Sequence, residues 1–209
     1  MSKGERTRER IISTAAPIFN RLGYSGATVA DLLAATGLEK GGLYRHFASK
    51  EDIALAAFDH AVRLHGDRIR SYVIAAGPSA SARLLAVAEA IASLAENPVV
   101  PGGCPLLNTA VESDDAEGPM YPALRSRTRR AMTRLLGAVR DMIVDGIASG
   151  EFRKGLDADV EASGVVASLE GALMLSKLYD DSTHMRHAVE RVRALTDALA
   201  APQPDSKRR

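Results

Sequence analysis

The 209 residues carry a formal net charge of +1, 4% aromatic residues, no Trp and one cysteine, which favours an all-α fold and excludes an intramolecular disulfide. Since the N-terminal residues are charged and the apolar stretches are short, neither a signal peptide nor a membrane span is indicated, and we expect a soluble, reduced, cytoplasmic protein. Residues 1–50 carry eight Lys or Arg against four Asp or Glu, which indicates that this end meets a polyanion unless the asymmetry is a chance variation of surface charge.

Four helices are predicted in the first part of the chain. An apolar stripe predicts the first of them, in which Pro17 should produce a bend because it lacks a backbone donor. Thr28 and Ser49 are each followed three residues later by Asp, a pattern typical of a helix N-terminus. Gly37 suits the sharp turn between two short helices, because glycine accepts a positive φ. The predicted helices cover residues 6–22, 28–35 and 39–46, with a long fourth helix from residue 50.

The two short helices around the glycine turn, with another helix before them, indicate a helix-turn-helix. Leu43 and Phe47 are four residues apart and should face the core. Glycines on the outward turn let the backbone approach base edges, and the surrounding polar side chains can donate to bases and phosphates. The DNA contacts predicted on this surface are Lys40, Gly41, Gly42, Tyr44, Arg45, His46 and Lys50.

A spaced motif surrounds the glycine turn: Gly26-x-Thr28-x-x-Asp31-Leu32, then Gly37-Leu38-x-Lys40-Gly41-x-Leu43-Tyr44-x-His46-Phe47-x-x-Lys50-Glu51. This motif resembles the DNA-binding domain of the TetR family of transcriptional regulators. The resemblance implies a three-helix DNA-binding domain over residues 1–49 and a helical domain over residues 50–200 that dimerises and binds an effector. It places Lys40, Gly41, Tyr44 and Arg45 on or near bases, and Thr28, His46 and Lys50 on phosphates.

The same resemblance implies a repressor that binds a palindromic operator in double-stranded DNA as a homodimer and is released by a small-molecule effector. The helix over residues 50–74 is expected to transmit the effector's influence, by changing the separation of the two recognition helices in the dimer. The identity of the effector, the operator sequence and the choice between repression and activation stay open.

Several more helices are predicted beyond residue 75. They lie between Pro78 and Pro98, from about Cys104, and over residues 119–149, 157–180 and 184–199, followed by a disordered tail over residues 201–209. The segment 160–179 is apolar nearly all round and rich in Gly and Ala, so it must be covered on both sides. A partner subunit explains the second cover better than burial within a monomer, which predicts a homodimer with a four-helix interface.

The single cysteine lies at a predicted helix start. Pro105 fits the first helical position and places Cys104 at the N-cap, where the helix dipole favours a thiolate. The segments GGCPLLNTAVES and EGALMLSK resemble the NemR-type branch of the family, which implies that Cys104, with Asn108 in its motif, and Lys177 form an electrophile or redox sensor. Alternatively, Cys104 only lines the effector pocket, and Lys177 pairs with an acidic side chain or a ligand.

An enzyme is the remaining functional class. The histidines lie far from any nucleophile signature, so we expect no catalytic residue and no cofactor. The segment DDSTHMRH contains carboxylate and imidazole groups that resemble a metal site, but a solvated connector that caps the last helix is the favoured interpretation, and no metal is expected. The expected partners are double-stranded operator DNA, a small-molecule effector and a second copy of the chain, with no membrane.

Overall fold

The computed structural model describes residues 2–114 and 116–201, whose regular structure is helical, with no strand among them. The helices are α1 (Lys3–Gly26), α2 (Val29–Thr36), α3 (Lys40–Tyr44), α4 (Lys50–Ala75), α5 (Ala80–Glu96), α6 (Pro105–Ser113), α7 (Tyr121–Ser149), α8 (Ala158–Tyr179) and α9 (Thr183–Leu199). One isolated antiparallel bridge pairs Phe152 with Ala200. The predicted all-α fold, with its three helices at the N-terminus, is confirmed.

The chain divides into two compact units. Unit 1 comprises Met1–Asp67 and Asn97–Met132, and unit 2 comprises Arg68–Glu96 and Thr133–Arg209. The divisions fall inside the long helices α4 and α7, whereas the predicted boundary after residue 49 falls at the start of α4 and stays a prediction. The predicted tail lies outside the described residues except for Ala201, whose N–H donates to the carbonyl of Glu151 (2.9 Å).

Helix α1 is longer than its apolar stripe suggests. It begins with a reciprocal capping box in which Ser2 and Glu5 each accept a backbone N–H of the other. Within α1 the helical dihedrals continue through Pro17, where a bend was expected, and the non-helical residue is Gly23 with φ of 77°. A glycine takes this conformation without the steric penalty of a Cβ, and a Cβ at Gly23 would lie 2.9 Å from a carboxylate oxygen of Glu112.

The caps predicted around the helix-turn-helix are present. The hydroxyl of Thr28 accepts the N–H of Asp31 (3.1 Å), and that of Ser49 accepts the N–H of Asp52 (3.1 Å). Gly37 ends α2 in the left-handed conformation (φ 65°), and its N–H donates to the carbonyl of Leu33. Helix α3 is shorter than the predicted 39–46, because the chain leaves the helix after Tyr44 in a tighter turn.

Two arginines of α7 are used inside unit 1. Arg125 donates to the carbonyls of Ser113 (2.5 Å), Asp114 (3.3 Å) and Ala116 (3.4 Å), which closes the end of α6 and the loop that follows it. Arg127 pairs with Asp59 of α4. Two arginines of α7, Arg125 and Arg127, therefore form hydrogen bonds and an ion pair within unit 1.

In unit 2, α9 packs against α5 and α8. The carboxylate of Glu151 accepts the hydroxyl of Ser79 (2.8 Å) and the N–H groups of Ala80 (2.7 Å) and Ser81 (2.8 Å) at the start of α5. Partial burial alone would raise the pKa of Glu151, but the hydrogen bonds from Ser81, Ser79 and Ala80 outweigh it and lower the pKa to about 2. This carboxylate thus joins the loop after α7 to the first turn of α5 by hydrogen bonds.

Helix α8 has one buried face and one exposed face. The buried positions are Ala162, Val165, Val166, Leu169, Ala172, Leu173 and Ser176. Apolar residues also occupy the exposed face, among them Val160 (64% exposed), Met174 (49%) and Leu178 (71%). Among the helices described, none is long and apolar enough to cross a membrane.

Candidate functional site

Helix α3 presents a polar surface because its two apolar anchors point the other way. Leu43 is fully buried and Phe47, just beyond the helix, is 5% exposed, as the four-residue spacing predicts. The remaining predicted contacts divide by exposure: Lys40, Gly41 and Arg45 are exposed, and Gly42, Tyr44, His46 and Lys50 are half-buried. Because the apolar face of α3 is buried, the opposite face exposes Lys40, Arg45 and Gly41 to a binding partner.

The two glycines of α3 have different surroundings. A Cβ at Gly41 would meet no atom within 4 Å, so the helix backbone is open there. A Cβ at Gly42 would lie 3.7 Å from Cδ2 of Leu38, which is ordinary van der Waals contact. The backbone at Gly41 is therefore open to the surroundings, whereas Gly42 faces Leu38 in the turn before α3.

Thr28 and Lys50 lie at the starts of α2 and α4. The Thr28 hydroxyl donates to Oδ2 of Asp31 (2.6 Å), so in the free chain its proton is engaged in the cap. The hydrogen bonds from Thr28 lower the pKa of Asp31, and the positive charge of Lys50 lowers it further. Asp31 therefore engages the hydroxyl of Thr28 and adds negative charge near Lys50 at the edge of the helix-turn-helix.

Two arginines of α1 that the sequence displays only as charge hold this motif in place. Arg10 donates through a guanidinium nitrogen to the carbonyl of Thr36 (2.9 Å), the last residue of α2. The guanidinium of Arg8 lies over the ring of Phe47, 4.7 Å from its centroid. The only sequence signal for these roles is the alternation of arginines in RTRER, which does not reveal a partner.

The segment before α6 is tied to α1 by two amides. Asn108 donates to the carbonyl of Asn20 (3.2 Å), to its Oδ1 (3.1 Å) and to the carbonyl of Gly102 (2.9 Å). Asn20 in turn donates to the carbonyls of Pro101 (3.1 Å) and Gly103 (2.9 Å). The amide of Asn108, predicted as part of the sensor, is thus engaged in holding α6 and its preceding loop to α1.

A second tie joins α6 to the end of α1. Glu112 accepts the N–H of Ser25 (2.9 Å), and the hydroxyls of Tyr24 and Thr109 are 3.2 Å apart. Burial raises the pKa of the Tyr24 hydroxyl well above its usual range. These contacts join α6 to α1, and α1 carries both arginines that contact the helix-turn-helix.

Comparison with known proteins agrees with this arrangement. The sequence profile described as "Bacterial regulatory proteins, tetR family" matches residues 11–57, and the profile "Tetracyclin repressor-like, C-terminal domain" matches residues 80–198. A TetR transcriptional regulator from Chloroflexus aurantiacus J-10-FL, whose structure is solved, is 41% identical, with a TM-score of 0.90 over 96% of this chain and 98% of that chain. The chain belongs to the TetR family. It is a transcriptional regulator with a helix-turn-helix, and the enzyme alternative is set aside by this membership.

More distant relatives of this TetR-family protein add their own descriptions. The "HTH-type transcriptional repressor DhaR" of Mycobacterium sp. (strain GP1) is 26% identical over 171 residues, which are 82% of each chain. The reduced form of NemR from E. coli is 18% identical, with a TM-score of 0.78 over 95% of this chain and 100% of that chain. At that identity NemR shows the fold alone, so the narrower resemblance to its branch stays a prediction.

The TetR-family protein places the two predicted sensor residues in different units. Cys104, in unit 1, is the N-cap of α6 with Pro105 behind it, as predicted, and is 7% exposed. Lys177, in unit 2, is exposed on α8. Their pairing stays a prediction.

The connector before α9 contributes one carboxylate to the start of that helix. Asp181 accepts both the N–H (2.9 Å) and the hydroxyl (2.8 Å) of Thr183, the first residue of α9. These two hydrogen bonds lower the pKa of Asp181. Within residues 2–114 and 116–201, no group of three His, Cys, Asp or Glu side chains is placed to hold a metal ion.

Proposed function

We propose that this TetR-family regulator is a repressor that binds a palindromic operator as a homodimer and releases it when a small-molecule effector binds. The observation that carries the proposal is the anchored α3, whose exposed surface offers Lys40, Arg45 and the open backbone at Gly41 to a base edge. Tyr44 and His46 beside it are suited to donate to phosphates. Such a regulator acts where the chromosome lies, in the cytoplasm.

The exposed face of α8 supports the homodimer. Apolar side chains at Met174 and Leu178 lie on the same face as Gly164 and Ala167, where small side chains allow a second helix to approach closely. A Cβ at Gly164 would meet no atom within 4 Å, so this part of the helix is open in the single chain. Pairing of two copies through this face, with α9 as its neighbour, makes a four-helix interface.

The ties between α6 and α1 support a route for the effector's influence in addition to α4. An effector that shifts α6 also shifts α1 through Asn20 and Asn108. Helix α1 in turn holds the end of α2 through Arg10. A small displacement of α6 therefore changes the position of the helix-turn-helix, and in a dimer it changes the spacing of the two recognition helices.

Selection of DNA from a random-sequence pool by the purified protein tests the proposal. We expect enrichment of an inverted repeat whose half-sites are about one helical turn apart, 10–10.5 base pairs from centre to centre or a multiple of this. Sedimentation of the free protein should give twice the mass of the chain. A monomer that enriches no sequence would contradict both parts of the proposal.

A redox sensor is the second candidate, and the position of Cys104 favours it. The thiol is the N-cap of α6 and follows the loop that Asn20 and Asn108 hold against α1. Two-electron oxidation of the thiolate by a peroxide gives a sulfenic acid at the first turn of α6. Oxidation of Cys104 would then modify the start of α6, the helix that is hydrogen-bonded to α1.

The rate of Cys104 alkylation across pH and the oxidant response of DNA binding separate the two candidates. A sensor requires fast alkylation at neutral pH, with oxidant releasing DNA from the wild type but not from Cys104→Ser. Slow alkylation, or equal release from both proteins, assigns Cys104 to the wall of a pocket for a non-covalent effector.

A further inference from the structure

The guanidinium of Arg8 is held in a defined place beside the recognition helix. It lies 4.7 Å from the ring centroid of Phe47, and that ring is itself fixed because Phe47 is only 5% exposed. Phe47 follows the end of α3 by three residues and comes directly after His46. Arg8 therefore sits at the C-terminal end of α3 although it belongs to α1.

Stacking leaves the hydrogen-bonding capacity of Arg8 unused. A cation–π contact uses the positive charge of the guanidinium and not its N–H groups as hydrogen-bond donors to an oxygen, so these donors can still bind an anion. No carboxylate among the described residues pairs with Arg8. The two acids nearest along α1 are otherwise engaged, since Glu5 accepts the N–H of Ser2 and Glu9 pairs with His60 (3.3 Å) and Arg63 (3.8 Å).

Arg10, two residues further along α1, shows what a structural arginine does in this protein. Its guanidinium donates to the carbonyl of Thr36, so part of its donor capacity is consumed inside the fold. Arg8 has a position against the ring of Phe47, an exposed side chain and a full charge, and no acceptor within residues 2–114 and 116–201 engages its guanidinium. Lys40 and Arg45 on α3 add positive charge to the same motif, which suits a polyanion and disfavours a basic partner.

We propose that Arg8 is a DNA-binding residue of this regulator that contacts a backbone phosphate, with the ring of Phe47 as the platform that orients it. The proposal rests on the proposed function and extends it to a residue outside the helix-turn-helix. A contact to phosphate carries no sequence information, so Arg8 sets the affinity and seating of α3 on the duplex and not its base preference.

The test measures binding to two duplexes over a range of salt concentrations. One duplex is the sequence that the wild type enriches from a random pool, and the other is a scrambled duplex of equal length. Arg8→Gln should weaken binding to both duplexes by roughly five- to tenfold near 0.1 M salt and reduce the slope of log affinity against log salt by about 0.9. Arg8→Lys should retain the slope but lose part of the affinity, since lysine keeps the charge and lacks the planar fork.

A control variant and a mutant cycle isolate the contact. Arg129→Gln removes the same charge from an exposed position of α7 and should leave the slope as in the wild type. Phe47→Leu keeps an apolar side chain in the core but removes the platform, so it should weaken binding several-fold when Arg8 is present and much less in the Arg8→Gln background. That difference is the coupling that a phosphate contact positioned by Phe47 requires.

A purely structural Arg8 would give a different result. In that case Arg8→Gln lowers the midpoint of thermal unfolding while the salt slope stays that of the wild type, and the proposal is overturned. If the wild type binds neither duplex, the proposed function fails and the contact fails with it. If the wild type binds and Arg8→Gln has an unchanged slope, only the contact at Arg8 is wrong.

Discussion

Asn108 of α6 and Asn20 of α1, 88 residues apart in sequence, are joined by two hydrogen bonds from one amide group. The same amide donates to the carbonyl of Gly102, and a Cβ at Gly102 would lie 2.6 Å from the carbonyl oxygen of Asn20. The loop before α6 is therefore pressed against α1 so closely that only glycine fits. This contact joins the start of α6 to the helix that holds the DNA-binding motif.

Asn108→Ala should lower the free energy of unfolding by about 1–3 kcal/mol, because it removes the part-buried hydrogen bonds from this amide to Asn20 and Gly102. Denaturant titration followed by circular dichroism measures the change. Val111→Ala is the matched control on the same helix: its side chain is 72% exposed, and its effect should stay within about 0.5 kcal/mol. Equal effects of the two substitutions would show that the amide contributes nothing to stability.

Two glycines of α7 should respond to alanine in opposite directions. A Cβ at Gly146 would overlap the ring of Phe152, a side chain that is 1% exposed, so Gly146→Ala should destabilise by about 1–3 kcal/mol. A Cβ at Gly137 would meet no atom within 4 Å, so Gly137→Ala should stabilise by up to about 1 kcal/mol through helix propensity. Thermal melts of both variants beside the wild type check the signs, and a gain of stability in Gly146→Ala would contradict the packing of Phe152.

Glu151 should make the stability of the protein depend on pH in the acidic range. Its pKa is lowered from 4.5 to about 2 in the folded protein, so its contribution is fully present above the unfolded value and is lost as the pH falls towards 2. At pH 6, Glu151→Gln should cost about 1–2 kcal/mol, a figure reduced for solvent screening. Urea titrations between about pH 6 and pH 3 should show the two proteins converging. If the difference in free energy of unfolding between the two proteins stayed constant across this range, the charge of Glu151 would not be what stabilises the start of α5.

The two lysines of the DNA-binding motif should differ in what they control. Lys50→Ala should weaken binding to every sequence and make the salt dependence shallower by about 0.9 in the log–log slope, as expected for a phosphate contact. Lys40→Ala should instead relax the preference at one base pair by about 1–3 kcal/mol. Competition titrations with single-base variants of the selected duplex distinguish them. If only Lys50→Ala lost discrimination between base pairs, Lys50 would be the base contact and Lys40 the phosphate contact.

Features that depend on near neighbours in the chain are predictable from the sequence. The caps at Thr28 and Ser49, the left-handed Gly37 and the N-cap position of Cys104 all involve residues within a few positions of one another, and all are present. The spacing of Leu43 and Phe47 likewise predicts which face of α3 is buried. The helix-turn-helix could be predicted because its conformation is set largely by such local interactions.

Other features lie outside what local patterns express. Pro17 is tolerated inside α1, and the interruption falls at Gly23, where α6 brings the carboxylate of Glu112 against the backbone. Lys177 has an apolar neighbourhood in sequence, yet it lies on the exposed face of α8. A periodic pattern states which residues share a face, but it does not state which face the rest of the fold covers.

The sequence by itself determined the helices, their caps and the polar surface of α3, because these follow from hydrogen bonds and side-chain periodicity over a few residues. Only the tertiary structure decided that Asn20 meets Asn108, that Arg10 holds the end of α2, and that Glu151 caps α5. These pairs are 88, 26 and 71 residues apart, and each polar side chain could form hydrogen bonds with many other groups in a flexible chain. Packing of the helices decides which of these hydrogen bonds form, because it alone brings the distant groups to hydrogen-bonding distance.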